Sequence, residues 1–249
     1  MLCLSASEEF CMKGRIYLKI DELISRWDNR LNCSLLESRD QWLVEKAHGR
    51  RILHLGCTDA PFTQERLQQR TALHCALEAV AAEITGADID VKGLELLARH
   101  CPRSTFVLWN VEEMPPRGLA SQRFDIIICA DIIEHVSNPG LMMLNIRELL
   151  APGGELIITT INAFAFKIFA RALFKREAVH PDHIAYYSLA TLKHLCGRYN
   201  YVIDDKHFMF LYPFRSDLVT SIQAPIYRLF PAAADGIAVV VHADGIAAI

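Results

Sequence analysis

The chain has 249 residues, 52% of them hydrophobic and 22% charged, with a formal net charge of -3. This length suits one α/β domain with additions and buries a substantial core without disulfide staples. The near-neutral balance gives no electrostatic footprint for nucleic acid as a partner, and no apolar run approaches the ~18 residues a membrane-spanning helix needs.

Eight cysteines are scattered along the chain and none forms a C-x-x-C pair, so no zinc or redox motif is expected from them. Free thiols buried in a reducing compartment are the plain reading. The N-terminus "MLCLSASEEFCMKG" lacks the basic segment and apolar core of a signal peptide, so a cytoplasmic location is expected.

Residues 1–49 read as an N-terminal helical extension. In "RIYLKIDELISRW", Ile16, Ile20, Leu23, Ile24 and Trp27 share one helix face. "SLLESRDQWLVEKAHG" predicts a second helix, stopped by Gly49. From 50 to 249 the pattern changes. The short apolar runs "RILHL", "EITGADI", "TFVLWN", "FDIIICA" and "GELIITT" alternate with helix-length stretches, which implies right-handed crossovers and a parallel sheet. "TQERLQQRTALHCALEAVAAE" reads as two short helices rather than one. "NPGLMMLNIRELLAPGG" reads as a helix with Pro139 in its first turn, Met142, Ile146, Leu149 and Leu150 on one face, and Gly153 and Gly154 ending it. "AFAFKIFARALFKREA" is an amphipathic helix with a basic stripe of Lys167, Arg171 and Lys175. The runs "YVIDDKHFMF" and "GIAVVVHA" add two late strands. The expected fold class is α/β: Rossmann-like and doubly wound, a mostly parallel seven-stranded sheet with an antiparallel C-terminal edge pair, plus N-terminal helices.

In such a sheet a ligand sits beyond the carboxyl ends of the strands. Gly56 ends the first run and allows close backbone approach. Asp88 ends the second and can accept from ribose hydroxyls. Asn110 ends the third, where its amide can read an adenine edge. The fourth brings Cys129 to Asp131 to its tip, with His135 one turn on. A dinucleotide needs G-x-G-x-x-G so that its pyrophosphate meets bare amides at a helix N-terminus. "GCTDAP" does not offer this, and Asp59 would repel phosphate. A sulfonium-bearing cofactor without phosphate tolerates the loop better.

The stretches "ILHLGCTDA", "ITGADID", "FVLWNVEEMP", "RFDIIICADIIEHVSNPG" and "LLAPGGELIITT", in this order over roughly 51–160, resemble class I S-adenosylmethionine-dependent methyltransferases. Within that family the chain is most similar to bacterial quinone-biosynthesis O-methyltransferases and methyltransferases of surface-polysaccharide clusters. The resemblance implies S-adenosylmethionine as cofactor. It places Gly56, Cys57 and Asp59 around the methionine part, Asp88 on the ribose, Ile89 over one adenine face, and Asn110 with the Val111 amide on the adenine edge. It also puts the backbone of Cys129 and Ala130 at the methionine end. The chain departs from the family pattern: His54 stands where an acidic residue is usual, Thr58 and Ala60 where glycines are usual, and Asn110 where aspartate is usual. His54 is either a partner of the cofactor loop or a purely structural histidine.

Methyl transfer to an oxygen also needs a group to take the acceptor's proton, and histidine suits this near neutrality. His135, His180 and His183 are the candidates, the last two framing "HPDH" in a loop near the open side of the pocket. No metal site is expected, because two histidines and one aspartate lack a further ligand. A segment at about 163–197 is expected to act as lid and acceptor pocket for a small-molecule, glycan or quinone-like acceptor. A basic amphipathic helix at 163–176 also allows peripheral membrane contact. Two other classes stand beside this reading: a nicotinamide-dependent oxidoreductase on the same fold, and a non-catalytic S-adenosylmethionine-binding module.

Overall fold

A computed structural model describes residues 31–212, 225 and 227–244. The helix expected around Ile16–Trp27 lies outside the described residues. Nine strands form one sheet among the described residues: β1 (Cys33–Leu35), β2 (Arg51–Leu55), β3 (Glu83–Asp88), β4 (Thr105–Leu108), β5 (Phe124–Ala130), β6 (Leu150–Ile161), β7 (Tyr201–Ile203), β8 (His207–Phe210) and β9 (Gly236–Ala243). Their order is β1-β8-β9-β6-β5-β2-β3-β4, and β7 also pairs with β9. The helices are α1 (Arg39–Ala47), α2 (Thr63–Gln69), α3 (Leu73–Val80), α4 (Val91–His100), α5 (Arg117–Ala120), α6 (Pro139–Arg147), α7 (Phe166–Leu173) and α8 (Leu189–Arg198).

The centre of the sheet is parallel because its strands are apolar on both faces. Ile126, Ile127, Ile128 and Cys129 of β5 are all fully buried, as are Ile52, Leu53 and Leu55 of β2. Each such aliphatic side chain contributes about 2 kcal/mol by burial. From β2 the chain runs outward through β3 and β4, then returns to β5 on the other side of β2. That reversal of direction opens a crevice at the carboxyl ends of β2 and β5. The two short helices expected between β2 and β3 are α2 and α3.

Several expectations change in detail. The mostly parallel sheet with antiparallel strands on one side is present, but it has more strands than seven. The run "YVIDDKHFMF" is broken around Asp204–Lys206 into β7 and β8, which pair with successive parts of β9. The long β9 is inserted between β6 and β8 instead of closing the edge. The edge is β1, parallel to β8 through Cys33, Ser34 and Leu35. Ser34 and Leu35 had been expected in a helix. The helix instead starts after Ser38, whose side chain accepts from the Gln41 amide.

Helix α6 stops at Arg147, short of the face extended to Leu149 and Leu150. Leu150 already pairs with Phe124. Gly153 and Gly154 sit inside β6, where the pairing register shifts. Gly153 has φ +73, and a Cβ on Gly154 would lie 2.9 Å from the Phe124 and Ala151 carbonyl oxygens. The glycines therefore serve a strand irregularity rather than a helix stop.

Helix α7 does not pack its aromatic face on the sheet. Phe166, Phe169, Leu173 and the following Phe174 are all more than half exposed. Of its basic stripe, Lys167 is tied to the buried Asp235 at 3.2 Å, and Lys175 lies past the helix end.

Candidate functional site

A cavity of about 1270 Å³ opens at the carboxyl ends of β2, β3 and β5. Its walls come from the loop after β2, the ends of β3 and β5, the start of α1 and the segment after β8. It exceeds the roughly 300–1,000 Å³ of an ordinary small-molecule pocket, so it has room for two ligands together.

The loop after β2 begins at Gly56, which has φ +64 and would bring any Cβ to 1.9 Å from Ile132 Cδ1. Both the backbone conformation and the space restrict this position to glycine. Two residues on, at Thr58, the loop is held by Asp88. Its Oδ2 accepts from the Thr58 amide and from Thr58 Oγ1, each at 2.9 Å, and its Oδ1 accepts from the Asp90 amide at 3.0 Å. A carboxylate offers about four acceptor sites, so Oδ1 keeps one lone pair for a ligand. Asp90 N-caps α4, accepting from Lys92. Ile89 is 71% exposed at the cavity wall, an apolar side chain held in the open at a strand tip.

His54 is 2% exposed, yet it lines the cavity floor. Its Nδ1 lies 3.2 Å from Nδ1 of His74, and the two rings stack at 7°. A chain of partners fixes the protons. Ser104 Oγ donates to Glu78 at 2.9 Å, so it accepts from His74 Nε2–H at 3.0 Å. Burial lowers the His74 pKa to about 4, which keeps that ring neutral and its Nδ1 bare. His54 therefore donates from Nδ1. Burial first, then His74 and Arg39, keep His54 neutral as well. Its free Nε2 is an acceptor. A neutral histidine thus presents a lone pair at the position where the family usually carries an acidic side chain.

The same cavity is lined by a charged group to which the sequence reading gave a strand-tip position but no role. Asp131, just past β5, has the left-handed φ of 54. Its Oδ2 pairs with the Arg39 guanidinium, and its Oδ1 accepts from Tyr212 Oη at 2.8 Å and Thr159 Oγ1 at 3.1 Å. Arg39 also holds Asp40 at 2.7 Å. Burial, then Asp131, raises the Tyr212 pKa and keeps its hydroxyl a donor. Arg39 and Tyr212 lie 92 and 81 positions from Asp131, and no local pattern announces such a meeting. Nearby, Glu134 is fully buried. Its Oε2 accepts from Thr160 Oγ1 at 2.9 Å and its Oε1 has no partner among the described residues. Burial, then Asp131, pushes its pKa up to about 7.

Of the residues singled out from sequence, His54, Gly56, Cys57, Asp59, Asp88, Ile89 and Ala130 line the cavity together with His135 and His180. Asn110, Val111, Cys129 and His183 do not. Asn110 Oδ1 accepts from the Glu112 amide, and the Val111 carbonyl accepts from Asn145. Cys129 is fully buried beneath the site. His183 stacks edge-on against His135, with ring centroids 4.5 Å apart. Tyr187 packs in the core, its hydroxyl 3.5 Å from the Ile133 carbonyl.

The methyltransferase domain family matches this chain over residues 26–206, well over half of it. The chain belongs to that family. It is 28% identical over 151 residues to the ubiquinone biosynthesis O-methyltransferase of Histophilus somni, covering 57% of this chain and 58% of that protein. It is 29% identical over 132 residues to the enzyme of that name from Coxiella burnetii, covering 53% of this chain and 51% of that one. The chain thus spans a little over half the length of the curated relatives it matches. Among solved structures, it resembles magnesium protoporphyrin IX methyltransferase from Synechocystis PCC 6803, with a TM-score of 0.55 at 13% identity over 82% of this chain and 80% of that one. It also resembles a TehB-like SAM-dependent methyltransferase from Corynebacterium glutamicum, with a TM-score of 0.53 at 12% identity over 94% and 99%. At these identities the likeness is one of fold.

Proposed function

We propose that this domain transfers a methyl group from S-adenosylmethionine to an oxygen of a small acceptor, a quinone-type phenolic hydroxyl being the first choice. The observation that carries the reading is the set of groups facing one cavity: the Gly56 turn, the open lone pair of Asp88, the exposed Ile89 and the bare Nε2 of His54. These fit a ligand with ribose hydroxyls, an adenine face and an ammonium group. When bound, the cofactor supplies an electrophilic methyl group on a sulfonium.

The chain's own residues do the rest. Asp88 accepts from a ribose hydroxyl and holds the Thr58 loop. His54 Nε2 accepts from the ammonium. The Arg39 guanidinium, braced by Asp131 and Asp40, attracts the carboxylate at the same end. Holding donor and acceptor in line supplies most of the rate enhancement. Removal of the acceptor's proton falls to the cluster of His135, His180 and His183.

A nicotinamide enzyme fits less well. Asp88 already occupies the Thr58 amide, and the half-buried Asp59 stands between Gly56 and α2 where a pyrophosphate would need bare amides. Titration calorimetry with S-adenosylhomocysteine, followed by transfer of a labelled methyl group to a panel of phenols, tests the assignment. Binding with transfer is expected. Absence of heat at millimolar ligand would reject both the enzyme and the binding-module readings.

The exposed Phe166, Phe169 and Phe174, beside Arg171 and Arg176, favour contact with an anionic bilayer, which suits a lipid-tailed acceptor. The chain should co-sediment with vesicles containing anionic phospholipid, and Phe169→Ser with Phe174→Ser should weaken this about tenfold. Equal sedimentation of the double variant would discard the idea.

A further inference from the structure

We propose that His135, His180 and His183 form a site for one divalent cation of the zinc or iron(II) type, open on the acceptor side of the cavity. The three imidazoles come from two segments, the turn after β5 and the "HPDH" turn. The latter is docked by the Ile184 amide donating to the Glu134 carbonyl at 2.9 Å. One ring nitrogen from each histidine lies within 4.8 Å of the others. A tetrahedral zinc with Zn–N bonds of about 2.0–2.1 Å separates its nitrogens by about 3.4 Å, so ring movements of roughly 1 Å close the site.

The surroundings prepare two of these rings as ligands, while the third, His180, accepts from the Asp182 amide through Nδ1 at 3.3 Å and must give up that contact or turn to ligate. Nδ1 of His135 lies 3.1 Å from the Asp182 carbonyl. It must donate there, which leaves Nε2 bare, the arrangement by which a backbone carbonyl orients a metal-binding histidine. Nδ1 of His183 is buried with no hydrogen-bond partner among the described residues. The carboxylates of Asp131 and Asp182 add negative potential around the cluster. Without a cation, the His135 ring meets the other two edge-on, those two are tilted at 38°, and Nδ1 of His183 has no partner among the described residues. With one, that nitrogen has a partner.

Imidazole suits zinc, iron, copper and nickel, and three protein ligands leave a position for another oxygen. His135 and His180 line the cavity, so that position faces the space assigned to the acceptor. With the cation in place the three rings are ligands and no longer act as bases themselves; a hydroxyl bound there would lose its proton to solvent and remain as metal-held oxyanion. Attack on the methyl carbon would then form the C–O bond as the C–S pair returns to sulfur. The cation binding stands on the histidines alone, and only this use of it rests on the methyl-transfer reading.

The full chain, stripped with EDTA and returned to chelator-free buffer, should take up one equivalent of Zn²⁺ in competition with a chromogenic chelator, with a Kd of about 1 μM or below. His180→Gln and His183→Gln should each weaken uptake about 30-fold or more, while His194→Gln, exposed on α8, should not. Co²⁺ in the same site should give four-coordinate visible bands that both cluster variants lose. Thermal melts without metal separate a lost ligand from a lost fold, and the half-exposed His180 is the variant expected to fold normally. Uptake below one equivalent, or uptake unchanged in a folded His180→Gln, overturns the site. S-adenosylhomocysteine titrated in EDTA reports on the methyl-transfer reading separately.

Discussion

Asp88→Ala is expected to lower S-adenosylhomocysteine affinity by about 100-fold or more, since a charge-assisted hydrogen bond of about 1.5–3 kcal/mol and the order of the loop are lost together. The carboxylate accepts from Thr58 twice and from the Asp90 amide once, so in the proposed binding mode its loss removes both a ligand contact and the anchor of the loop. From sequence alone, a strand-tip carboxylate looks free of structural duty. The structure adds a cost: two backbone amides lose an anionic partner, and the ligand-free melting temperature should fall by a few degrees. Asp88→Asn separates the two duties. An amide keeps one acceptor oxygen, but its NH₂ faces donors that need an acceptor. Its loop should therefore loosen while its volume is unchanged. Calorimetry on both variants, with circular dichroism to show the fold, decides the matter. Wild-type affinity in Asp88→Ala would remove Asp88 from the binding site.

The second large effect is on stability against pH. Glu134 is fully buried, and burial, then Asp131, pushes its pKa up to about 7, well above the ordinary carboxylate range. The folded state therefore holds this proton more tightly than the unfolded state does. The resulting stability is complete below the unfolded value, declines as pH rises, and is gone once pH passes the folded value. A raise of this size corresponds to about 3 kcal/mol between pH 4 and pH 8. In a 249-residue chain that is roughly 6–12 °C in melting temperature. Glu134→Gln cannot ionise, and its amide still accepts from Thr160. The variant should be close to wild type at pH 5 and more stable than wild type at pH 8. Parallel melting curves for the two proteins across this range would refute the assignment of the proton to Glu134.

Much of the architecture was legible because buried parallel strands and helix caps leave local marks. "FDIIICA" is apolar on both faces, and Asp90 and Pro139 sit where helices begin. The failures share a different cause. Cys33–Leu35 forms a strand only because β8 offers an open edge, while its own spacing continues the helix behind it. Leu149 and Leu150 fit the period of α6 as well as they fit the start of β6, and pairing with Phe124 decides between them. In the site, Gly56 and Asp88 could be placed at the cavity from their strand ends, and Ile89 from the family resemblance. Arg39, Asp131 and Tyr212 meet across more than 80 positions of sequence, through contacts that no short window contains. The histidine cluster lay between these cases. "HPDH" was visible, but the third ring arrives from a segment 45 residues earlier, counting from His135 to His180.

The pairing of His54 with His74 restricts how this chain can change. Nε2 of His54 faces the cavity bare only while His74 takes the other nitrogen's proton, and His74 does so only while Ser104 and Glu78 hold its far side. Removal of the second ring would free the first to turn its proton toward the cavity, so the ammonium acceptor proposed above would become a donor. A carboxylate at 54 beside an unaltered His74 would draw a proton into the core and reverse the chain of donors. Positions 54 and 74 therefore form a unit of inheritance, and a sequence that regains an acid at the first should be found to have given up the ring at the second.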